Sequence, residues 1–151
     1  MNKSTGVLYL SGPMSGVFEH NFPLFNQEAA RLRNLGWTAL NPAEFLDGDE
    51  TLTRIEYARA DMAALLSVGV QVVALLPGWA RSRGAFLEAY VGALCGMSLM
   101  MAENITAGPP SFFFPAFHES PQGLELLRNG GSMILSFPPP PAQSPSIGLA
   151  A

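Results

Sequence analysis

Glu88 is the residue of this sequence that is best placed to do chemistry. It lies just over one turn into a predicted helix, after an apolar, β-branched strand (residues 70–76) and a polar loop (residues 77–84). A buried parallel strand that leads through a loop into a helix places that loop at the carboxyl edge of a sheet, where α/β proteins bind ligands. A glutamate in the first turns of a helix is also commonly an exposed residue that favours the helix dipole. Position alone therefore leaves both interpretations open.

The loop before this helix carries groups that suit an anion. Ser82 stands near the predicted start of the helix, with Arg81, Arg83 and Gly84 beside it. Backbone N–H groups at a helix N-terminus bind anions, and an arginine adds charge and hydrogen bonds. The alternative is that both arginines are solvated loop charges.

A second candidate segment follows the first strand, residues 6–11, which contains Tyr9 near its end. Two glycines and a proline there indicate a loop that lets backbone N–H groups approach a ligand. The loop residues are Gly12, Pro13, Met14, Ser15 and Gly16. They do not form a G-x-G-x-x-G motif, so no dinucleotide site is predicted. From this segment alone an ordinary turn is the favoured interpretation.

Asp61 is the third candidate. It is four residues after Tyr57 and shares a helix face with it, in a helix that Thr51 or Thr53 would cap. The stripe predicted to be buried on this helix consists of Ile55, Ala58, Met62, Leu65 and Leu66. A solvated helix position is the alternative for Asp61.

Strands and helices alternate along the chain. Apolar strand patterns at residues 6–11, 37–40, 70–76 and 98–102 are separated by helical patterns. Such alternation indicates right-handed βαβ units and a parallel sheet. The predicted class is therefore α/β, with a three-layer, doubly wound (flavodoxin- or Rossmann-like) parallel sheet of four to five strands, the third of which is central.

The composition limits the kinds of partner. The chain has 151 residues, of which 48% are hydrophobic, which is enough for one domain with a proper core. Its formal net charge is −4 and it has a single lysine, so no basic surface for polymeric nucleic acid is expected.

The sequence offers no cysteine–histidine cluster for a zinc ion, and no metal site is predicted. Cys95 lies in an apolar helical pattern and is expected to be a core residue. The N-terminal apolar run is too short for a signal peptide and no stretch is long enough to span a membrane. A cytoplasmic protein is expected.

The composition changes after residue 104. We predict an α/β domain at 1–104, an extension at 105–137 with a short helix and a possible fifth strand at 133–137, and a proline-rich, flexible tail at 138–151. Four phenylalanines between residues 112 and 117 would be a large apolar patch on a monomer, so they are expected to cover a sheet edge or contact a second subunit.

Four segments together resemble the nucleoside 2-deoxyribosyltransferase-like superfamily, most closely a branch of small, often phage-borne proteins. They are YLSGPMSG, NFPLFNQEAARLRNLGWTALNPAEF, RADMAAL and LLPGWARSRGAFLEAYVGALCG. The resemblance covers about the first two-thirds of the chain. It implies cleavage of N-glycosidic bonds, by transfer of deoxyribose between bases or by hydrolysis of nucleoside 5′-monophosphates. It implies no cofactor.

The resemblance also assigns roles to residues. It implies that Glu88 is the carboxylate that attacks the anomeric carbon, that Asp61 is the acid or base, and that Tyr9 belongs to the catalytic set. Ser82 stands six residues before Glu88, where the monophosphate hydrolases carry serine and the transferases carry aspartate. A phosphate-bearing substrate is therefore favoured, although Ser15 stands where those hydrolases have an arginine.

In this interpretation the glycine loop (residues 12–16) and Ser82, Arg83 and Gly84 bind the 5′-phosphate, with Arg81 or Arg83 as countercharge. Trp79 and Met14 would stack on the base or simply cover the strand ends. The alternatives are a deoxyribosyltransferase and a non-catalytic nucleotide-binding module. Members of this superfamily commonly pair so that one subunit closes the other's site, so a homodimer or higher homo-oligomer is expected.

Overall fold

The computed structural model describes residues 6–67 and 69–110, which form one α/β unit. Its strands are β1 (Val7–Ser11), β2 (Thr38–Leu40), β3 (Val70–Leu75) and β4 (Ser98–Met101). Its α-helices are α1 (Phe22–Asn34), α2 (Arg54–Leu65) and α3 (Arg83–Leu94). Short 3₁₀ helices occupy Phe18–Asn21, Pro42–Gly48, Trp79–Arg81 and Ala102–Asn104.

All four strands are parallel, and their order in the sheet is β2-β1-β3-β4. The chain therefore moves from β1 outward to β2 on one side, and from β3 outward to β4 on the other. In a doubly wound sheet this reversal opens a crevice between the carboxyl ends of the two inner strands, here β1 and β3. The predicted flavodoxin-like, three-layer class is confirmed, and β3 is an inner strand as expected.

The two faces of the sheet have separate apolar cores because successive strand residues point to opposite sides. One core lies under α1 and the other under α2 and α3. The α1 core includes Leu8, Leu10, Val72, Ala74, Phe25 and Leu32, and the opposite core includes Tyr9, Val73, Leu75, Leu65, Phe86 and Ala89. α3 lies close to the sheet, since a Cβ at Gly92 would be only 2.7 Å from Val73 Cγ2.

The prediction of the buried face of α2 was wrong for most of its residues. Leu65 is fully buried, but Ile55 is 57% exposed and Leu66 is 50% exposed. Ala58 is also exposed, while the side that carries Tyr57 and Asp61 is partly buried. Apolar residues occur on several sides of this alanine-rich helix, so their spacing alone does not determine which side packs.

Cys95 is exposed rather than in the core. It is the C-cap residue of α3, two residues beyond the last buried residue of the helix. The apolar pattern of the helix continues to that point, but the buried surface ends at Ala93.

Residues 105–110 pack against the α/β unit. The Ile105 side chain is only 3% exposed. Arg31 Nη1 donates to the Ile105 carbonyl at 2.7 Å, and Trp37 Nε1 donates to the Ala107 carbonyl at 2.8 Å. The predicted fifth strand, the aromatic segment at 112–117 and the tail at 138–151 lie outside the described residues. None of the helices in the part of the chain that the structure describes is long and apolar enough to cross a membrane.

Candidate active site

A cavity of about 920 Å³ opens at the carboxyl edge of the sheet. It is bounded by the segments that follow β1, β2 and β3 and by the facing sides of α2 and α3. Most of the predicted site residues line it: Gly12, Pro13, Met14, Ser15, Asp61, Ser82, Arg83, Gly84 and Glu88. The parallel topology therefore brings together side chains that are up to 76 positions apart in sequence.

Glu88 is buried, with only 9% of its surface exposed, so it is not an exposed helix glutamate. It lies between Phe86 and Ala89, which are both in the core, and reaches the cavity from the second turn of α3. Ser82 caps this helix, because its Oγ accepts a hydrogen bond from Ala85 N at 3.3 Å. The helix is thus fixed at its first turn and along its packed face, and both hold Glu88 in position.

Three buried oxygens lie at the cavity or close beside it. Tyr9 Oη, Asp61 Oδ1 and Glu88 Oε2 are all buried, and none has a hydrogen-bond partner among the described residues. Buried polar atoms are nearly always hydrogen-bonded in folded proteins, since an unsatisfied one costs about 1–3 kcal/mol. Three such atoms in one place indicate a binding or catalytic site.

Burial dominates the electrostatics of Glu88 and raises its pKa to about 8. The nearby Tyr9 and Ser11 hydroxyls favour the ionised form, and the negative charge of Asp61 opposes it. Tyr9 therefore lies near enough to influence the pKa of Glu88, although its hydroxyl does not reach the geometry of a full hydrogen bond. Ser11 was not a predicted site residue, and its Oγ is 3.5 Å from the Ala85 carbonyl oxygen.

Asp61 faces the same cavity from α2. Burial raises its pKa to about 6, a smaller change than for Glu88 because Asp61 is less deeply enclosed. Of the two predicted N-caps for α2, Thr53 is the one used. It forms a capping box in which Thr53 Oγ1 accepts from Glu56 N at 3.2 Å and Glu56 Oε2 accepts from Thr53 N at 2.6 Å.

Tyr9, which was predicted to belong to the catalytic set, is fully buried and does not line the cavity. Alternation along β1 directs it into the core under α2 and α3, close enough to Glu88 and Asp61 for their charges to affect its pKa. Burial, with the charges of Glu88 and Asp61, raises its pKa far above the usual value. Tyr9 therefore remains a neutral phenol that can donate a hydrogen bond to Glu88.

The first four residues of the glycine loop, residues 12–15, line the cavity. A Cβ at Gly12 would be 2.7 Å from Leu76 Cβ, so only glycine fits there. Asn21 Nδ2 donates to the Pro13 carbonyl at 2.9 Å and fixes the loop from the other side. Gly16, which was predicted to bind substrate, has a φ of 77°, turns the chain and does not line the cavity.

The loop after β3 contributes less than predicted. Trp79 does not line the cavity; its ring stacks on Phe86, with 6.2 Å between the centroids and 12° between the planes. Trp79 thus covers the strand end, which was the alternative to base stacking. Arg81 and Ser82 do face the cavity, and a Cβ at Gly84 would meet nothing within 4 Å.

One wall of the cavity was not predicted. It consists of residues from the segment after β2 and the start of α2, including Glu50, Leu52, Arg54 and Tyr57. Tyr57 Oη donates to the Asp49 carbonyl at 2.6 Å and holds this wall to the helix. Residues 50–57 lie outside the four stretches that carry the resemblance, and the shared helix face of Tyr57 and Asp61 was the one available signal.

His20 and Phe22 also line the cavity and were not predicted. Their rings are in contact, with centroids 5.6 Å apart. Among the described residues, no three His, Cys, Asp or Glu side chains are grouped so that they could hold a metal ion.

Comparison with known proteins gives one match. A family model described as "Domain of unknown function (DUF4406)" matches residues 6–101, which is more than half of the chain and includes β1 to β4. Neither the curated proteins nor the solved structures gave a match.

Proposed function

The chain belongs to the DUF4406 family, and for this member we propose an N-glycosidase that cleaves the base–sugar bond of a nucleoside 5′-monophosphate. The observation that carries the proposal is a pair of carboxyl groups, the buried Glu88 and the partly buried Asp61, which face one cavity. Glu88 Oε2 and Asp61 Oδ1 are buried atoms without hydrogen-bond partners in the described chain. Cleavage of a glycosidic bond needs one carboxylate at the anomeric carbon and one proton donor at the leaving group.

Glu88 acts as the nucleophile in this proposal. One of its carboxylate oxygens forms a bond to the anomeric carbon while the carbon–nitrogen bond breaks and its electron pair leaves with the base. Water then attacks the anomeric carbon of the glycosyl ester and gives a proton to Asp61, which releases the sugar phosphate and restores both the Glu88 carboxylate and the protonated Asp61. The rigid support of Glu88 by α3 favours this role, because a nucleophile must be held within about 3–3.5 Å of the carbon that it attacks.

Asp61 supplies the proton to the departing base. With pKa values of about 6 and about 8, the Asp61–Glu88 pair holds a single proton near neutral pH. Glu88 retains this proton more strongly before substrate is bound, so the proposal requires its transfer to Asp61 or to the base. The two carboxyls titrate as an interacting pair, and a positive charge that develops on the sugar stabilises an ionised Glu88.

The rim of the cavity suits a phosphate. The N-terminus of α3 faces it, with Arg81 and Arg83 close by. The Ser82 oxygen accepts from Ala85 N, which leaves its O–H to donate to a phosphate oxygen. Gly84 has no neighbour that a Cβ would meet, so its backbone is open to a ligand. These features support a nucleotide over an uncharged nucleoside.

Tyr9 positions Glu88 in this proposal and does not touch the substrate. It is a neutral donor behind the carboxylate, and its hydroxyl has no other described partner. A hydrogen bond that forms when Glu88 ionises would stabilise the nucleophilic form.

A deoxyribosyltransferase is the second candidate. The cavity volume of about 920 Å³ is near the upper end for small-molecule sites and gives room for an acceptor base. Such an enzyme would pass the sugar from Glu88 to a second base instead of water. The products formed with and without added base separate the two activities.

The test is incubation of the full chain with a panel of nucleoside 5′-monophosphates and nucleosides, followed by chromatography of the released base. We expect release from nucleotides, reduced by at least about 100-fold in Glu88→Gln and in Asp61→Asn. Glu103→Gln is the control, because Glu103 is an exposed glutamate outside the cavity. Turnover that survives in Glu88→Gln, or binding without any product in the wild-type protein, would refute the proposal.

A further inference from the structure

The turn that precedes α1 has an unusual backbone. Glu19, His20 and Asn21 have φ values of 51°, 53° and 62°, so three consecutive residues that are not glycine lie in the left-handed region. Asparagine and histidine occur there more often than most residues, but every residue other than glycine adopts this region at a cost. Strain of this kind persists where the surrounding structure maintains it, and it is concentrated at functional sites.

The surrounding contacts maintain this turn against the glycine loop. Asn21 Nδ2 donates to the Pro13 carbonyl at 2.9 Å. Val17 N donates to the Met14 carbonyl at 3.2 Å, and His20 N donates to the Val17 carbonyl at 3.0 Å. The position of the turn is therefore coupled to the loop at the carboxyl end of β1.

The consequence of this backbone is the placement of His20. Its side chain is at the exposed rim of the cavity and contacts the ring of Phe22, whereas neighbouring Glu19 does not line the cavity. In the fully described segment between β1 and α1, His20 is the ionisable side chain that faces this space. The loop after β3 supplies Arg81 and Ser82 to the same space.

We propose that the strained turn presents His20 to the phosphate of the ligand, as the hydrogen-bond donor from the β1 side of the cavity. The inference rests on the proposed function in taking a nucleoside 5′-monophosphate as the ligand. An imidazole N–H can donate to a phosphate oxygen, and the bond is stronger when the imidazole is charged. His20 thus provides the contact that Ser15, an uncharged residue of the glycine loop, supplies less strongly.

Two glycine variants separate the effect of losing the His20 side chain from the effect of relieving the backbone strain. Glu19→Gly and His20→Gly each remove a side chain from a left-handed residue, and each is expected to raise Tm by about 3 °C. Only His20→Gly removes a group that lines the cavity. We expect the Kd of 2′-deoxynucleoside 5′-monophosphates to rise about tenfold in His20→Gly and to stay unchanged in Glu19→Gly. His20→Asn, which keeps a donor and tolerates the backbone, should lose less affinity than His20→Gly.

The Kd values are measured by calorimetry on the full chain in a Glu88→Gln background, so that turnover does not interfere. Matched nucleosides without phosphate serve as the comparison, and their Kd should not change in His20→Gly. An equal loss for nucleosides and nucleotides would assign His20 to the base or sugar and overturn the inference. An equal loss in both glycine variants would also overturn it, because the shape of the turn would then be responsible.

The binding test of His20 and the base-release test of the proposed function can fail independently. If the wild-type chain releases no base but nucleotide binding depends on the phosphate and on His20, the glycosidase fails and this inference stands. If base is released and the His20 variants bind normally, the glycosidase proposal stands and this inference fails. Failure of the wild-type chain to bind any of the nucleotides would overturn both.

Discussion

Replacing Glu88 by glutamine should make the protein more stable, by an amount that grows with pH. Glu88 is buried at 9% exposure, and burial raises its pKa from 4.5 to about 8. Ionising it in the folded protein therefore costs more than ionising it in the unfolded chain. Glutamine has nearly the same shape but cannot ionise, so the variant removes this cost and keeps the packing.

The sign and size of the change in the free energy of unfolding follow from the two pKa values of Glu88, 4.5 in the unfolded chain and about 8 in the folded protein. Below pH 4.5 the carboxyl is neutral in both states, and Glu88→Gln should change the free energy of unfolding little. Between pH 4.5 and about 8 the folded state holds the proton that the unfolded state has lost, so the wild-type protein loses stability as pH rises. At 1.36 kcal/mol per pH unit the full difference is roughly 5 kcal/mol, which is an upper bound because local relaxation and water reduce it. We expect a gain of about 2–5 kcal/mol at pH 9.

Urea denaturation at pH 4, 7 and 9 measures this difference as the change in the free energy of unfolding between variant and wild type. Glu103→Gln is the matched control, since Glu103 is exposed and remote from the cavity. It should show no comparable increase with pH. A Glu88→Gln variant whose advantage is the same at pH 4 and pH 9, or which is less stable at pH 9, would contradict the assignment of Glu88 as a buried carboxyl with a raised pKa.

Two further predictions concern the same cavity. The pH profile of kcat/KM for base release should be bell-shaped, with limbs near 6 and 8: below the first value both carboxyls are protonated and no nucleophile remains, and above the second both are ionised and no acid remains. A rate that rises steadily to pH 10 would contradict this assignment. Gly84→Ala should leave the free energy of unfolding unchanged or raise it by up to about 1 kcal/mol, because the Cβ meets nothing in the protein and alanine is the better helix former. The same substitution should raise KM for nucleotides, and an unchanged KM would show that no ligand approaches Gly84.

The alternation of strands and helices could be predicted because it depends on local patterns. Apolar runs of four to six residues end at Gly12-Pro13, Asn41-Pro42 and Pro77-Gly78. Proline and glycine interrupt regular structure for steric reasons that do not depend on the rest of the fold. Once the strands are parallel, the residues that follow β1 and β3 must meet at one edge. The convergence of Glu88 and Ser82 with the glycine loop was therefore predictable.

The features that could not be predicted depend on the rotation of each helix about its axis and on which side chains pack against one another. The rotation of α2 buries Leu65 in the core that it shares with α3, and several apolar residues on the helix offered equally plausible faces. Tyr9 was correctly expected at a strand end near the site. That its hydroxyl is buried near Glu88 and does not line the cavity depends on how closely α3 approaches β1, which a sequence pattern does not encode.

Trp79 was predicted in the site for a related reason, because a sequence pattern does not show which side chain a residue packs against. A large aromatic residue in a loop at the carboxyl end of a strand is equally suited to stack on a ligand or on a core residue. Here Trp79 stacks on the ring of a core residue, Phe86, which lies one helical turn into α3. A residue of the β3 loop thus covers the core next to Glu88 and does not line the cavity.

Two features that oppose folding occur around one cavity. The floor holds a buried carboxyl that is most stable when protonated, and the rim holds a left-handed turn without glycine. Single substitutions, Glu88→Gln and His20→Gly, would remove one each and are expected to stabilise the fold. Residues that violate local rules in this way mark the places where binding or chemistry, rather than stability, determines the side chain. The β1 turn and the α3 helix are independent segments that contribute to the same space, so the two features locate the site by separate physical effects, one of backbone conformation and one of charge burial.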